Sequence, residues 1–124
     1  MRERRKYPRL EKNLPIKLKQ TPDKDFDIAT ETTNISASGA YCAVTKSIKP
    51  MTKLKLVLLI PIYKSKVKKV KKIDCQGVVV RKEKNESNKK FPYRIGIFFN
   101  EIDNQDRKFL RSYINSFFQK GQIS

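Results

Sequence analysis

Residues 93–118, YRIGIFFNEIDNQDRKFLRSYINSFF, contain the change of period that decides the fold. Up to Ile102 the stretch is apolar and of strand length, with Gly96 near its middle. From Asp103 onward, Leu110, Tyr113, Ile114, Phe117 and Phe118 recur at i, i+3, i+4, i+7 and i+8, one apolar stripe of an amphipathic helix. Asp103 suits the N-cap, Asp106 suits the positive end of the helix macrodipole, and Gly121 is placed to stop the helix, which is predicted over 103–120.

Working outward from this junction, every earlier periodic segment has the period of a strand. Leu14, Ile16 and Leu18 alternate with polar neighbours, and Thr21, Pro22 and Asp23 supply a turn. Strands follow over 26–33 and 40–45, separated by a cluster of turn residues, Asn34, Ser36, Ser38 and Gly39. Residues 54–62 are almost continuously apolar, as in a strand buried on both faces or at a barrel centre. Residues 73–81 form the next strand, with Gly77 as a bulge or bend, and 82–90 read as a polar loop before the strand over 93–102. The intervening YKSKVKKVKK, residues 63–72, holds six lysines and is expected to be a solvated hairpin tip, with contact to an acidic partner, nucleic acid or a membrane as alternatives. Six short strands and then one helix define an all-β chain with a C-terminal helix: a small antiparallel barrel or sandwich whose open end the helix covers. Leu110, Ile114 and Phe117 are expected against the strands, with Tyr113 and Phe118 at the edge.

Composition bounds the function. At 124 residues the chain has room for a single domain: a flexible arm over 1–12, a strand region over 13–102 and the helix over 103–120. The net charge of +17, from 29 Lys and Arg against 12 Asp and Glu, favours polyanions such as nucleotides, nucleic acids or anionic lipids. The N-terminus is too polar for a signal peptide and no apolar run approaches the roughly 20 residues of a membrane helix, which points to the cytoplasm. There is no histidine, and Cys42 and Cys75 fall inside expected strands. They read as buried thiols, and no metal site, cofactor or catalytic dyad is expected, so the chain is read as a binding module and not an enzyme.

Two polar features remain. The chain has 21 Lys against 8 Arg, yet Arg2, Arg4, Arg5 and Arg9 all lie within the first nine residues. A planar guanidinium fork serves bidentate bonds to phosphate or to a guanine edge and stacks on a base, which a lysine does not; the other reading is a basic tail that only adds solubility. In Asn34-Ile35-Ser36-Ala37-Ser38-Gly39, short polar groups alternate along an extended segment and end on a glycine. Taken alone, this segment is also an ordinary hairpin turn.

Together the two features resemble the PilZ domain family, in which an Arg-x-x-x-Arg motif precedes the first strand and an Asp/Asn-x-Ser-x-x-Gly motif comes about 20 to 30 residues later. Arg5-Lys6-Tyr7-Pro8-Arg9 is similar to the first and Asn34 to Gly39 to the second. Gly77-Val78-Val79-Val80-Arg81 resembles the family's Gly-x-Val-Val-Arg strand, and Tyr93 to Phe99 its last strand. The resemblance implies a six-stranded antiparallel split barrel with an adjoining helix that binds the bacterial second messenger cyclic di-GMP. By this resemblance Arg5 and Arg9 bind guanine and phosphate, Asn34 and Ser36 hydrogen-bond a guanine edge, and Gly39 leaves space for it. Arg4 occupies the position that in some relatives favours two intercalated ligand molecules over one. Asn34 stands where many relatives have Asp, and a neutral amide oxygen is a weaker acceptor than a carboxylate by roughly twofold. The implied role is a stand-alone sensor or adapter, monomeric or weakly dimeric, that changes conformation and acts on a downstream protein. Two other functions compete: a basic OB-like nucleic-acid binder, and a ligand-independent interaction adapter of the same fold.

Overall fold

The computed structural model describes residues 8–20, 28–64 and 66–123. Six strands and a helix follow one another: β1 (Pro15–Gln20), β2 (Ile28–Ile35), β3 (Gly39–Val44), β4 (Lys53–Lys64), β5 (Val67–Lys84), β6 (Tyr93–Glu101) and α1 (Asn104–Ile123). All neighbouring strands are antiparallel and the sheet closes on itself in the order β1-β2-β3-β6-β5-β4. Periodicity leaves a barrel or a sandwich with a C-terminal helix open, and the structure is the six-stranded barrel that the family resemblance implies. Closure removes the open sheet edges along the barrel wall.

The interior follows from the alternation. Leu14, Ile16 and Leu18 from the start of the chain, Leu54, Leu56, Leu58 and Ile60 from β4, and Ile95, Ile97 and Phe99 from β6 point into one core. Cys42 and Cys75 belong to that core as free thiols, and burial pushes both up to about 12, so neither is a nucleophile near neutral pH. Leu110 and Ile114 of α1 complete the core, while Phe109 and Tyr113 pack at its margin. The Asp103 carboxylate accepts from the Gln105 backbone N–H at 2.8 Å, the N-cap expected of it. Gly121 lies inside the helix as observed and does not end it.

Gly77 sits at a register shift between β5 and β6, where a Cβ would press on the Ile97 side chain and the Phe98 carbonyl. The bulge is therefore a packing requirement. The turn expected at Thr21, Pro22 and Asp23 lies outside the described residues, as does the start of the second expected strand at Phe26. The described part of β2 runs two residues further than expected, taking Asn34 and Ile35 into the strand.

Residues 63–72 do lie at a solvated hairpin, but 63, 64 and 67–72 are paired strand, which the charge pattern does not predict. Leu59 to Lys64 pair residue for residue with Lys72 to Val67, leaving only 65 and 66 between the strands. Like charges are tolerated there because consecutive lysines point to opposite faces, and the β-branched Val67 and Val70 favour the pleat. β5 also continues through residues 82–84, expected as loop, by pairing Lys82, Glu83 and Lys84 with Ile95, Arg94 and Tyr93.

Candidate functional site

The chain between Arg9 and Leu14 is attached to β2 and not free along its whole expected length. Leu10 and Ile35 exchange two backbone hydrogen bonds, at 2.8 and 2.9 Å. Deeper in, the fully buried Thr32 uses one hydroxyl twice: it accepts from the Leu14 N–H at 3.0 Å and donates to the Lys12 carbonyl at 2.6 Å. Asn13 adds a side-chain bond to the Thr32 carbonyl at 2.7 Å. These contacts satisfy backbone groups that a segment without strand partners would leave open, and they deliver Arg9 to the end of β2. The Arg9 guanidinium there lies 5.0 Å from the centre of the Tyr41 ring, a cation–π contact.

Arg9, Asn34, Ser36, Ser38, Gly39 and Tyr41 all line one recess of about 100 Å³, with β5 and β6 contributing its far wall. Two motif halves 25 positions apart in sequence, Arg9 and Asn34, thus face the same space. Arg4 and Arg5 lie outside the described residues. The recess is well below the 300 to 1,000 Å³ typical of sites that enclose a small molecule. It has room for an edge or a ring, and a larger ligand would extend beyond it.

The polar residues of the turn divide into two kinds. Ser36 is buried, and its Oγ accepts from the Ser38 and Gly39 N–H groups at 3.1 and 3.2 Å while lying 3.0 Å from the Ser38 hydroxyl. That hydroxyl is nearly saturated by its own turn, so Ser36 shapes the loop that carries its neighbours. Asn34 is half-buried, and its side-chain amide has no partner among the described residues; donor and acceptor both remain available to a ligand. Gly39 has a reason of its own: a Cβ there would collide with the Ile97 carbonyl of β6. The glycine allows β3 and β6 to approach closely and at the same time keeps the recess floor flat.

Residues that motif reading passes over complete the rim. Phe98 and Val80 point outward, 49% and 58% exposed, where alternation calls for polar side chains, and both line the recess beside Tyr41. Their signal in the sequence is the outward parity of an apolar residue on a strand, legible only once the inward set is known. A roomier hollow of about 740 Å³ lies between Leu56, Cys75 and the start of α1, without any motif residue. Asp74, Glu101 and Asp103 line it against Lys55 and Arg107, a carboxylate excess that disfavours phosphate.

A closed antiparallel barrel, a strap bearing an arginine and a polar turn beneath it define a small ligand-binding domain. The PilZ domain model matches residues 3–116, and the chain belongs to the PilZ domain family. Its fold is similar to that of the Bacillus subtilis inhibitor of motility MotI/DgrA, with TM-score 0.77 and 22% identity over 95% of this chain and 53% of that one. It thus spans about half the length of MotI. It is also similar to the PilZ domain of Escherichia coli YcgR with c-di-GMP, with TM-score 0.66 and 10% identity over 97% of this chain and 95% of that one. A crystal structure of YcgR in complex with c-di-GMP gives TM-score 0.65 at 11% identity over 97% of this chain and 48% of that one. No curated protein matches the chain. PilZ domains are receptors and adapters, not enzymes. No helix among the described residues is long and apolar enough to cross a membrane.

Proposed function

We propose that this protein is a cytoplasmic cyclic di-GMP sensor that acts on a downstream protein, with its ligand held between the arginine strap and the Asn34 to Gly39 turn. The observation that supports this most strongly is the convergence of Arg9 and the unpartnered Asn34 amide on one recess. A guanine Hoogsteen edge offers two acceptors, O6 and N7, to the Arg9 fork, and the flat apolar rim of Tyr41, Val80 and Phe98 matches a purine face. The Asn34 amide supplies an acceptor for the guanine N–H groups and a donor besides. Arg5, one motif step earlier, supplies a second fork for phosphate, and Arg4 sets whether one ligand or an intercalated pair is held.

Calorimetric titration with cyclic di-GMP tests this reading. Binding is expected in the wild type, and Arg9→Ala is expected to weaken it by about 1 to 3 kcal/mol, the range for a lost bidentate contact. Two ligands per chain in the wild type and one in Arg4→Ala would establish the intercalated form. Unchanged affinity in Arg9→Ala, with the fold intact by circular dichroism, would remove the site assignment.

A further inference from the structure

Beyond Ile60, whose side chain still packs in the core, the β4–β5 pair leaves the barrel. β4 pairs with β1 only up to Leu58, and β5 pairs with β6 only from Gln76 onward, so the segment beyond is a two-stranded ribbon flanked by no other strand among the described residues. By strand order and register it leaves from the end of the barrel that also carries the Ser36 to Gly39 turn and the start of α1. The ribbon touches α1 at its base: Lys71 reaches Asp106 at 3.5 Å and stands 5.8 Å from the centre of the Phe109 ring. Strand alternation puts Lys68, Val70 and Lys72 on the face opposite Lys71.

Lys66, Lys68, Lys69 and Lys72 are exposed and make no ion pair with any described residue. Val67 and Val70, between them, are 55% and 58% exposed. We infer that this ribbon docks the protein onto an anionic lipid bilayer tip first, with the lysines among the headgroups and Val67 and Val70, one on each face, at the edge of the acyl region.

The side-chain chemistry distinguishes this partner from other polyanions. Residues 59–72 hold a single aromatic, Tyr63, and no arginine, asparagine or glutamine, whereas a nucleic-acid ribbon uses several rings to stack on bases and such side chains to read them. Nor do residues 59–72 include an arginine or tryptophan, two of the anchors that concentrate affinity in protein interfaces. What they offer is point charge on flexible stems combined with small apolar groups, the two weak signals that together hold a peripheral protein on a charged membrane. A projecting ribbon also meets a flat surface without steric interference from the barrel. This inference is independent of the ligand assigned to the recess.

The test is co-sedimentation of the full chain with vesicles of phosphatidylcholine alone and of phosphatidylcholine mixed with phosphatidylglycerol, at about 0.15 M salt, where exposed charges are screened beyond roughly 8 Å. Because the whole protein is basic, two charge-matched variants are compared. The ribbon variant carries Lys→Gln at positions 66, 68, 69 and 72. The control carries Lys→Gln at 17, 53, 84 and 89, four exposed positions away from the ribbon and the recess. Wild type is expected on the anionic vesicles only, with the ribbon variant reduced on the order of 100-fold and the control by a few-fold at most. Val67→Ser with Val70→Ser is expected to lower binding roughly tenfold with all charges retained. Equal losses in both lysine variants would reduce the effect to overall charge and overturn the proposal. So would absence of vesicle binding, or ribbon-dependent retention of duplex or single-stranded DNA without vesicle binding.

Discussion

The recess beside Arg9 and the ribbon beyond Ile60 lie at the same end of one barrel, and they use polar residues in opposite ways. Around the recess each polar group has an assigned position: Thr32 ties the strap, Ser36 holds the turn, Gly39 lets two strands approach, and Arg9 rests on Tyr41. On the ribbon, four lysines stand exposed without an ion pair among the described residues. The difference teaches that a high net charge can hide two kinds of chemistry. A placed guanidinium recognises a shape, and a group of mobile ammonium ions recognises only a field.

If that contrast is right, substitutions in the two regions must differ in stability as well as in binding. The largest effect is expected for Gly39→Ala, whose added methyl meets the backbone of Ile97 and not a side chain able to turn away. Overpacking of this kind costs about 1 to 3 kcal/mol, and the rigid obstacle places this variant near the upper figure. Urea denaturation measures it, and a loss below about 0.5 kcal/mol would show that β3 and β6 have slack.

Next comes Thr32→Val, which keeps the shape and removes the hydroxyl. The buried Leu14 N–H and the Lys12 carbonyl then lose their partner, a cost of about 1 to 3 kcal/mol. Faster amide exchange at Leu10 and Leu14 is expected alongside, because the strap is anchored there. Protection unchanged at both amides would mean that the Leu10–Ile35 bridge and the bonds of the Thr32 backbone to Leu14 and Asn13 hold the strap without the hydroxyl.

The smallest effect is expected on the ribbon. Lys→Gln at 66, 68, 69 and 72 should change unfolding free energy by no more than about 0.5 kcal/mol, as for surface positions without special contacts. A loss well above that would make the lysines part of the fold and erase the contrast with the recess.

Much of this architecture is legible in local pattern. The period-2 runs of β1, β3 and β6 and the period-3.6 stripe of α1 each bury one side, so the chain itself reports which residues face inward. The N-cap at Asp103, the bulge at Gly77 and the burial of Cys42 and Cys75 were readable for the same reason. The hairpin at 63–72 is legible from its charge, but its strand pairing is not, because twelve consecutive register pairs between β4 and β5 satisfy the backbone whatever the side chains carry. The pairing of residues 82–84 is hidden for the same reason. Of the residues that line the recess, Arg9, Asn34, Ser36 and Gly39 occupy motif positions, whereas Tyr41, Val80 and Phe98 carry no such signal, since an exposed apolar residue looks like any other until its neighbours across the sheet are known.

By itself the amino-acid order determined the number and kind of elements, the inward-facing set and the residue types able to recognise a guanine dinucleotide, because each of these depends on spacing along the chain. Only the closed barrel decided that Arg9 and Asn34 share a recess, that the Ser36 hydroxyl is engaged by its own turn, and that a lysine run projects as a paired ribbon. Those outcomes depend on hydrogen bonds and contacts between residues distant in sequence, which no local window contains.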